Sequence, residues 1–220
     1  MTVSVIPAQP ITGGPMILIG QYDSPFVRRV GIALRLYGMA FEQRPLSVFG
    51  DAEAVRGLNP LMRVPALVLA DGFVLTDSHM ILDYLDGLVP EPLFARDQPA
   101  RHRQMAIAAM GCGLAEKAVS LFYERRLHDP VSPVWEARCR RQIASVLAAL
   151  EADLAARAGP FWFGALGHAD VAVACAWRFA HEALPGLIDA SDHPRLAAHA
   201  QHCEAQAAFS QINQAFVAPA

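Results

Sequence analysis

Asn59 to Tyr84, NPLMRVPALVLADGFVLTDSHMILDY, is the stretch on which the reading of this chain turns. A Val64-Pro65 step opens a short apolar run, an Asp71-Gly72 pair separates it from a second run, and the polar triplet Thr76-Asp77-Ser78 follows. Asp-Gly between two apolar runs predicts a hairpin, with strands Ala66 to Leu69 and Phe73 to Leu75 and both turn residues at positive φ. Proline at the head of the first strand cannot donate to a ladder, so Val64 is pushed extended at the margin of the sheet. Its N–H and C=O are then free to pair with a guest backbone. The isomer of the Val64-Pro65 bond is not legible in the sequence. Beyond Leu75 the apolar spacing becomes helical, placing Met80, Ile81, Tyr84, Leu85 and Leu88 on one side, with Thr76 as N-cap and Asp77 and Ser78 in the first turn. Taken alone, these polar residues do no more than cap a helix.

Working upstream, Met16 to Gly20 reads as a strand and Gln21-Tyr22-Asp23-Ser24-Pro25 as a loop whose proline suits the first position of a helix. That helix runs to Gly38, a second strand spans Phe41 to Leu46, and a short helix covers Asp51 to Gly57. Strand, helix, strand, helix, hairpin, helix is the order of a thioredoxin-like α/β domain, assigned here to residues 16–88. Residues 1–15, with three prolines and two glycines, read as a flexible extension. Leu88 to Pro99 reads as a linker. Residues 99–220 form an all-α C-terminal domain, with helices at Arg101 to Leu127, Trp135 to Arg157, Ala169 to Ala183, Arg195 to Ala207 and Phe209 to Val217. Gly111 and Gly113 fall inside the first of these and mark either a close helix contact or a bend.

The 220 residues carry 54% hydrophobic content and a net charge of −3, which describe an ordered chain with no electrostatic case for nucleic acid or an anionic membrane surface. No run approaches the roughly 18 apolar residues of a membrane span. Four cysteines without a Cys-x-x-Cys pair suit a reducing, cytoplasmic setting. His199, His202 and Cys203, with His193 upstream, have metal-compatible spacing. The eight histidines are scattered and no partner pair completes a site, so no metal is assigned. His79 and His128 read as surface residues.

The pattern Asn59-Pro60-x-x-Arg63-Val64-Pro65, followed by Asp77-Ser78 at a helix start, resembles the glutathione-binding half of the glutathione transferase family. The resemblance implies that Val64 pairs with the cysteinyl backbone of glutathione, that Asp77 and Ser78 hold its γ-glutamyl end, and that Arg63 lies near the glycyl carboxylate. Ser24-Pro25-Phe26-Val27-Arg28-Arg29-Val30 resembles the serine-type members, in which this hydroxyl donates to the glutathione sulfur; Tyr22 is the rival donor. Gly167-His168-Ala169-Asp170 is similar to the family's Ser/Thr-x-Ala-Asp helix start, with glycine at the cap. The expected fold is the glutathione transferase fold and the expected co-substrate is glutathione. The expected partners are a small electrophile, received partly along the helix from Met105 to Tyr123, and a second copy in a homodimer. Reductases of this fold carry a cysteine near Ser24, and so does the maleylacetoacetate isomerase class; here every cysteine lies beyond the linker. Thiolate attack on an electrophilic carbon is therefore the expected chemistry, with isomerase or dehalogenase chemistry left open and a non-enzymatic binding module of the same fold as the alternative.

Overall fold

The structure, a computed structural model, describes residues 14–218, so nearly all of the extension assigned to residues 1–15 lies outside the described residues. The first half comprises β1 (Met16–Ile19), α1 (Pro25–Leu36), β2 (Phe41–Arg44), α2 (Ala52–Leu58), β3 (Ala66–Val68), β4 (Val74–Thr76) and α3 (Ser78–Gly87). Its sheet has the order β2-β1-β3-β4, with β2 parallel to β1 and the hairpin antiparallel. The second half is helical: α4 (Gln98–Leu127), α5 (Pro133–Ala155), α6 (His168–Ala183), α7 (Pro194–Glu204) and α8 (Ala207–Gln211), with a single 3₁₀ turn at Ala190–Asp192.

Period-two alternation divides the sheet between two layers. Leu18 and Leu67 join Val27, Val30 and Leu34 of α1 and Ile81, Leu82 and Leu85 of α3 on one face. Ile17, Ile19, Ala66 and Val68 pack on the other face with Leu46 and Leu58. Val171, Ala174 and Cys175 of α6 belong to the same cluster as α1, so one apolar core runs across the junction of the two halves.

Several sequence-based expectations are corrected. The turn at Asp71-Gly72 has positive φ only at Gly72 (φ 86). Leu69 N–H donates to Phe73 O and Gly72 N–H to Leu69 O, while Asp71 Oδ1 accepts from Phe73 N–H, giving a three-residue loop. The Asp71 side chain thus does locally what a second positive φ would otherwise do. Thr76 ends β4 instead of capping α3, because its backbone pairs with Ala66; Asp77 is the cap. The broad apolar face read on α3 splits: Ile81, Leu82 and Leu85 are buried, whereas Met80, Tyr84 and Leu88 are exposed. β2 stops at Arg44, short of Leu46. Phe209 to Val217 is not one helix, since α8 ends at Gln211 and the chain beyond is extended. Finally, α4 is long and apolar enough to cross a membrane by length and composition, but half of that window is buried inside the protein, as befits a core helix.

The two glycines of α4 have opposite roles. A Cβ on Gly111 would stand 2.8 Å from Val173 N and 2.9 Å from Ala172 C, both backbone of α6, whereas one on Gly113 would meet nothing within 4 Å. Gly111→Ala is therefore expected to lower the melting temperature, overpacking of this kind costing about 1–3 kcal/mol. Gly113→Ala is expected to raise it by removing up to about 1 kcal/mol of helix penalty. Thermal denaturation of the pair checks both signs, and equal shifts would contradict the close α4–α6 approach.

Candidate functional site

Register decides which loops meet. Ile19, Ala66 and Thr76 lie side by side across β1, β3 and β4, so the residues just outside them emerge at the same end of the sheet. These are the Gly20 to Ser24 loop, the Val64-Pro65 step and the Asp77-Ser78 pair. Gly20 takes φ 122, and a Cβ there would fall 2.6 Å from Val27 Cγ2 and 2.9 Å from Val64 Cβ, so only glycine allows the two loops to approach. The Gln43 amide donates to Gly20 O at 3.0 Å, holding the loop from β2 as well.

Ser24 is the N-cap of α1 with Pro25 at N1, and its Oγ accepts from Val27 N–H at 3.4 Å. Capping uses a lone pair of the hydroxyl and leaves its hydrogen free to donate, so the structural and chemical readings of this serine are compatible. That hydrogen has no acceptor among the described residues. No acidic side chain stands in the first turn of α1, and the nearest carboxylate, Asp23, lies one residue before the cap. Tyr22, the rival donor, is only 9% exposed. Its ring lies in the core with Val27, Val30 and Ile212, and its Cε1 stands 3.2 Å from the Cβ position of Gly31, along α1 from the tip. Burial also pushes its hydroxyl up from the usual range, with Arg35 opposing only in part.

The Val64-Pro65 bond is cis, and neither the N–H nor the C=O of Val64 is hydrogen-bonded among the described residues. A half-buried backbone pair without partners is what an added strand would satisfy. The step is pinned by Asn59, a residue whose structural work the sequence did not disclose. It is 4% exposed, donates through Nδ2 to Arg63 O at 2.8 Å and accepts at Oδ1 from Leu61 N–H at 3.1 Å. The Arg63 side chain is exposed and makes no hydrogen bond or ion pair among the described residues.

Asp77 takes φ 69 and ψ 125, a region L-residues seldom occupy, and accepts from His79 N–H at 2.8 Å. Backbone strain at such a position requires the surroundings to enforce it and is concentrated at binding and catalytic sites. Burial pushes its carboxyl up, but the amide and ring of His79 and the Met80 amide outweigh that, holding it below the usual carboxylate range. Ser78 opens α3, is 3% exposed, and receives a hydrogen bond from Arg29 Nη1 at 3.3 Å. Arg29 is buried and also donates to Cys112 Sγ at 2.9 Å; neither partner is a carboxylate, and its Nε has none. No spacing rule would have found Arg29, because its partners stand 49 and 83 residues away.

All four cysteines are buried thiols. Burial pushes Cys112 up even with Arg29 beside it, and pushes Cys175 up to about 11. Cys112 is thus close to the site in space yet poorly nucleophilic. His199 does not build a metal centre with His202 and Cys203. Its Nε2 lies 3.0 Å from Asp170 Oδ1 and 3.5 Å from Cys203 Sγ, whereas the exposed His202 turns Nδ1 to Ala198 O. Gly167 caps α6 as read, with Asp170 Oδ2 returning to Gly167 N–H at 2.9 Å.

A thioredoxin-like sheet whose loop ends converge beside a serine-tipped helix, followed by a helical half, defines the class of fold. Comparison with known families narrows it. Residues 18–93 match the glutathione S-transferase N-terminal domain and residues 133–202 the glutathione S-transferase C-terminal domain. A rice protein described as a probable glutathione S-transferase is 30% identical over 198 residues, covering 86% of this chain and 84% of its own. A glutathione transferase family member from Pseudomonas fluorescens, solved with bound glutathione, is 33% identical with a TM-score of 0.76 and covers 90% of this chain and 98% of its own. A glutathione S-transferase from Methylobacillus flagellatus, also solved with glutathione, has a TM-score of 0.83 at 25% identity, covering 90% and 98%. The chain belongs to the glutathione S-transferase family.

Proposed function

We propose that the protein is a glutathione transferase that adds the glutathione thiolate to an apolar electrophile, with residues 16–88 binding the peptide and residues 99–220 supplying most of the electrophile groove. The observation that carries this reading is the convergence, at one end of the sheet, of a hydroxyl with a free hydrogen, an unpaired extended backbone and a polar helix start. Val64 accepts and donates to the cysteinyl backbone, Asp77 and Ser78 take the γ-glutamyl end, Arg63 faces the glycyl carboxylate, and Ser24 donates to sulfur. A free thiol with pKa about 8.5 is only about 3% ionised at neutral pH, so preferential stabilisation of the anion raises the nucleophile's concentration. In the reaction the S–H proton leaves to solvent, the sulfur lone pair forms a bond to carbon, and a leaving group departs or the electrophile is protonated.

Binding is tested by calorimetry with glutathione. Asp77→Ala and Ser78→Ala are each expected to weaken affinity about 10-fold or more, the loss of a hydrogen bond to a charged group amounting to about 1.5–3 kcal/mol. Affinity unchanged in both would place the pocket elsewhere. Turnover of a panel of electrophiles by the wild-type chain distinguishes the transferase from a binding module, which would retain glutathione without consuming it.

Homodimerisation and a cytoplasmic setting belong to the same proposal. Met80 and Tyr84 of α3 and its C-cap Leu88 stand 59%, 37% and 54% exposed at four-residue spacing, with Met105 of α4 47% exposed. One helix face bearing three large apolar side chains is suited to a second copy. Sedimentation should give the mass of a dimer; a monomer at micromolar concentration would overturn this part of the reading.

A further inference from the structure

The loop that presents Ser24 is held from the far end of the chain. Of its own bonds, Ser24 N–H reaches Gln21 O at 3.2 Å, a single local turn. The Tyr22 amide is taken instead by Gln214 Oε1 at 3.0 Å, and Asp23 Oδ2 accepts from Val217 N–H at 3.3 Å. Two of the three residues before the serine are thus fastened to a tail that follows the last helix.

The tail has anchors of its own. Ile212 Cγ2 stands 2.9 Å from where a Cβ on Gly31 would be, so the tail packs onto α1 at a position open only to glycine. Ile212 O accepts from Arg28 Nε at 2.9 Å, and the same guanidinium forks onto Glu204 at 2.6 and 2.7 Å. Arg178 Nη2 donates to Gln214 O at 3.2 Å and Phe216 N–H to Glu182 Oε2 at 3.0 Å. The Phe216 ring stacks edge-on against Phe122 of α4 at 5.0 Å and Phe179 of α6 at 5.6 Å. None of these contacts uses the Gln214 side chain. Removing that carboxamide therefore releases the Tyr22 amide and leaves the tail in place.

We propose that the tail, residues 212–217, sets the orientation of the Ser24 loop, with the Gln214 carboxamide acting as a positioning residue that fixes the Tyr22 peptide and hence the line of approach of the Ser24 hydroxyl to sulfur. This rests on the reading of Ser24 as the donor to sulfur. A hydroxyl bond weakens steeply with misalignment, so a loop free to swing by a fraction of an ångström stabilises the thiolate less while the backbone and γ-glutamyl contacts continue to bind the peptide. The titratable and charged groups around the loop are Tyr22 and Asp23 themselves, Arg35 of α1, Tyr123 of α4, and Glu182 and Arg178 of α6. Burial pushes Asp23 up, with the Val217 amide opposing it, so the tail also helps to keep this carboxylate charged.

The test uses the full chain with glutathione and a chloronitrobenzene as electrophile. Gln214→Met keeps the length of the side chain and removes the acceptor. Its bound glutathione, titrated by the ultraviolet absorbance of the thiolate, should ionise about one pH unit higher than in the wild type, with kcat lowered about threefold near neutral pH and approaching tenfold at lower pH, and the glutathione dissociation constant within about threefold. Phe216→Ala, which loosens the tail without touching the acceptor, should move the titration the same way by less, and serves if the first variant does not fold. An unmoved titration in both variants overturns the proposal, as does a loss of kcat accompanied only by lost glutathione affinity. Ser24→Ala run alongside separates the two readings. If it leaves the titration unmoved, the role of Ser24 falls and the tail's role with it; if it shifts the titration and the tail variants do not, only the tail's role falls.

Discussion

Ser24→Ala is expected to lower the rate of glutathione conjugation by about 10- to 100-fold near pH 6.5, because one hydroxyl bond to a charged acceptor contributes about 1.5–3 kcal/mol and each 1.4 kcal/mol is a factor of ten. The deficit should shrink as pH rises toward the thiol's unassisted pKa near 8.5, where free glutathione supplies its own thiolate. Affinity should change little, since Val64, Asp77 and Ser78 are untouched. The same substitution removes the N-cap of α1, which costs about 0.5–2 kcal/mol, and the 3.4 Å capping bond suggests the lower part of that range. A chain of this size loses about 2–4 °C of melting temperature per kcal/mol, so the variant remains folded at assay temperature and the rate loss reports chemistry. Steady-state kinetics from pH 6 to 9 check this; a deficit independent of pH, or none, would reassign the donor.

Asp86→Ala is expected to produce the largest loss of stability. Asp86 and His168 are 4% and 1% exposed, and His168 Nε2 lies 2.8 Å from Asp86 Oδ1, joining α3 to the start of α6. The Tyr37 hydroxyl also donates to Asp86 Oδ1 and in turn accepts from Leu93 N–H at 2.8 Å, while Phe94 N–H reaches Asp86 Oδ2 at 3.3 Å. One carboxylate therefore satisfies groups from the C-cap of α1, the linker and α6. Removing it leaves the His168 ring, the Tyr37 hydroxyl and the Phe94 N–H without this acceptor, and at about 1–3 kcal/mol for each group left unpaired the loss is about 3–5 kcal/mol in all. The corresponding fall in melting temperature is about 6–20 °C at about 2–4 °C per kcal/mol. A shift of only a degree or two would show that water or neighbouring carbonyls replace the carboxylate.

The same network makes the fold acid-sensitive. Burial holds the His168 imidazole below its usual range, against the opposing pull of Asp86, so it stays neutral and donates Nε2–H to the carboxylate. Burial pushes Asp86 up, but the bonds from His168, Tyr37 and Phe94 outweigh it and leave the group lowered. A histidine lowered in the folded state is protonated first in the unfolded chain, so stability declines once pH falls below about 6.5. A carboxylate lowered in the folded state adds a second decline below about pH 3.9 and through its folded value. Both act in one direction, and the Asp86→Ala chain should lose the Asp86 share of the second, while lowered carboxylates such as Asp77 keep theirs.

The thioredoxin-like order was legible because its signals are local. Ser24-Pro25 is a cap followed by the one residue suited to N1, and the structure starts α1 there. Strand spacing at Ala66 to Val68 and helical spacing after Ser78 are patterns of a few residues each, and both elements form. Two of the errors share a cause, which is competition for the same backbone groups by residues elsewhere in the chain. Thr76 was read as a cap because a hydroxyl before a helix usually is one, but Ala66 claims its backbone for the ladder. The stretch after Gln211 has apolar spacing suited to a helix, yet Gln214 and Val217 are drawn out to the Ser24 loop.

The sequence motifs thus named Ser24, Val64, Asp77 and Ser78 as candidates without coordinates, with roles implied by the family resemblance, and the folded chain brings all four to one end of the sheet. What the motifs did not disclose is what surrounds these residues. Arg29 between Ser78 and Cys112, Asn59 beneath Arg63, Gln214 on the Tyr22 amide and Asp86 under His168 are all pairings across dozens of residues or hidden in a loop. Caps, turns and strand alternation follow from the steric and hydrogen-bonding preferences of neighbouring residues, which are written in order along the chain. A buried polar group, by contrast, is satisfied by whichever donor the packing of helices and sheet brings within about 3 Å, and only the folded chain determines that.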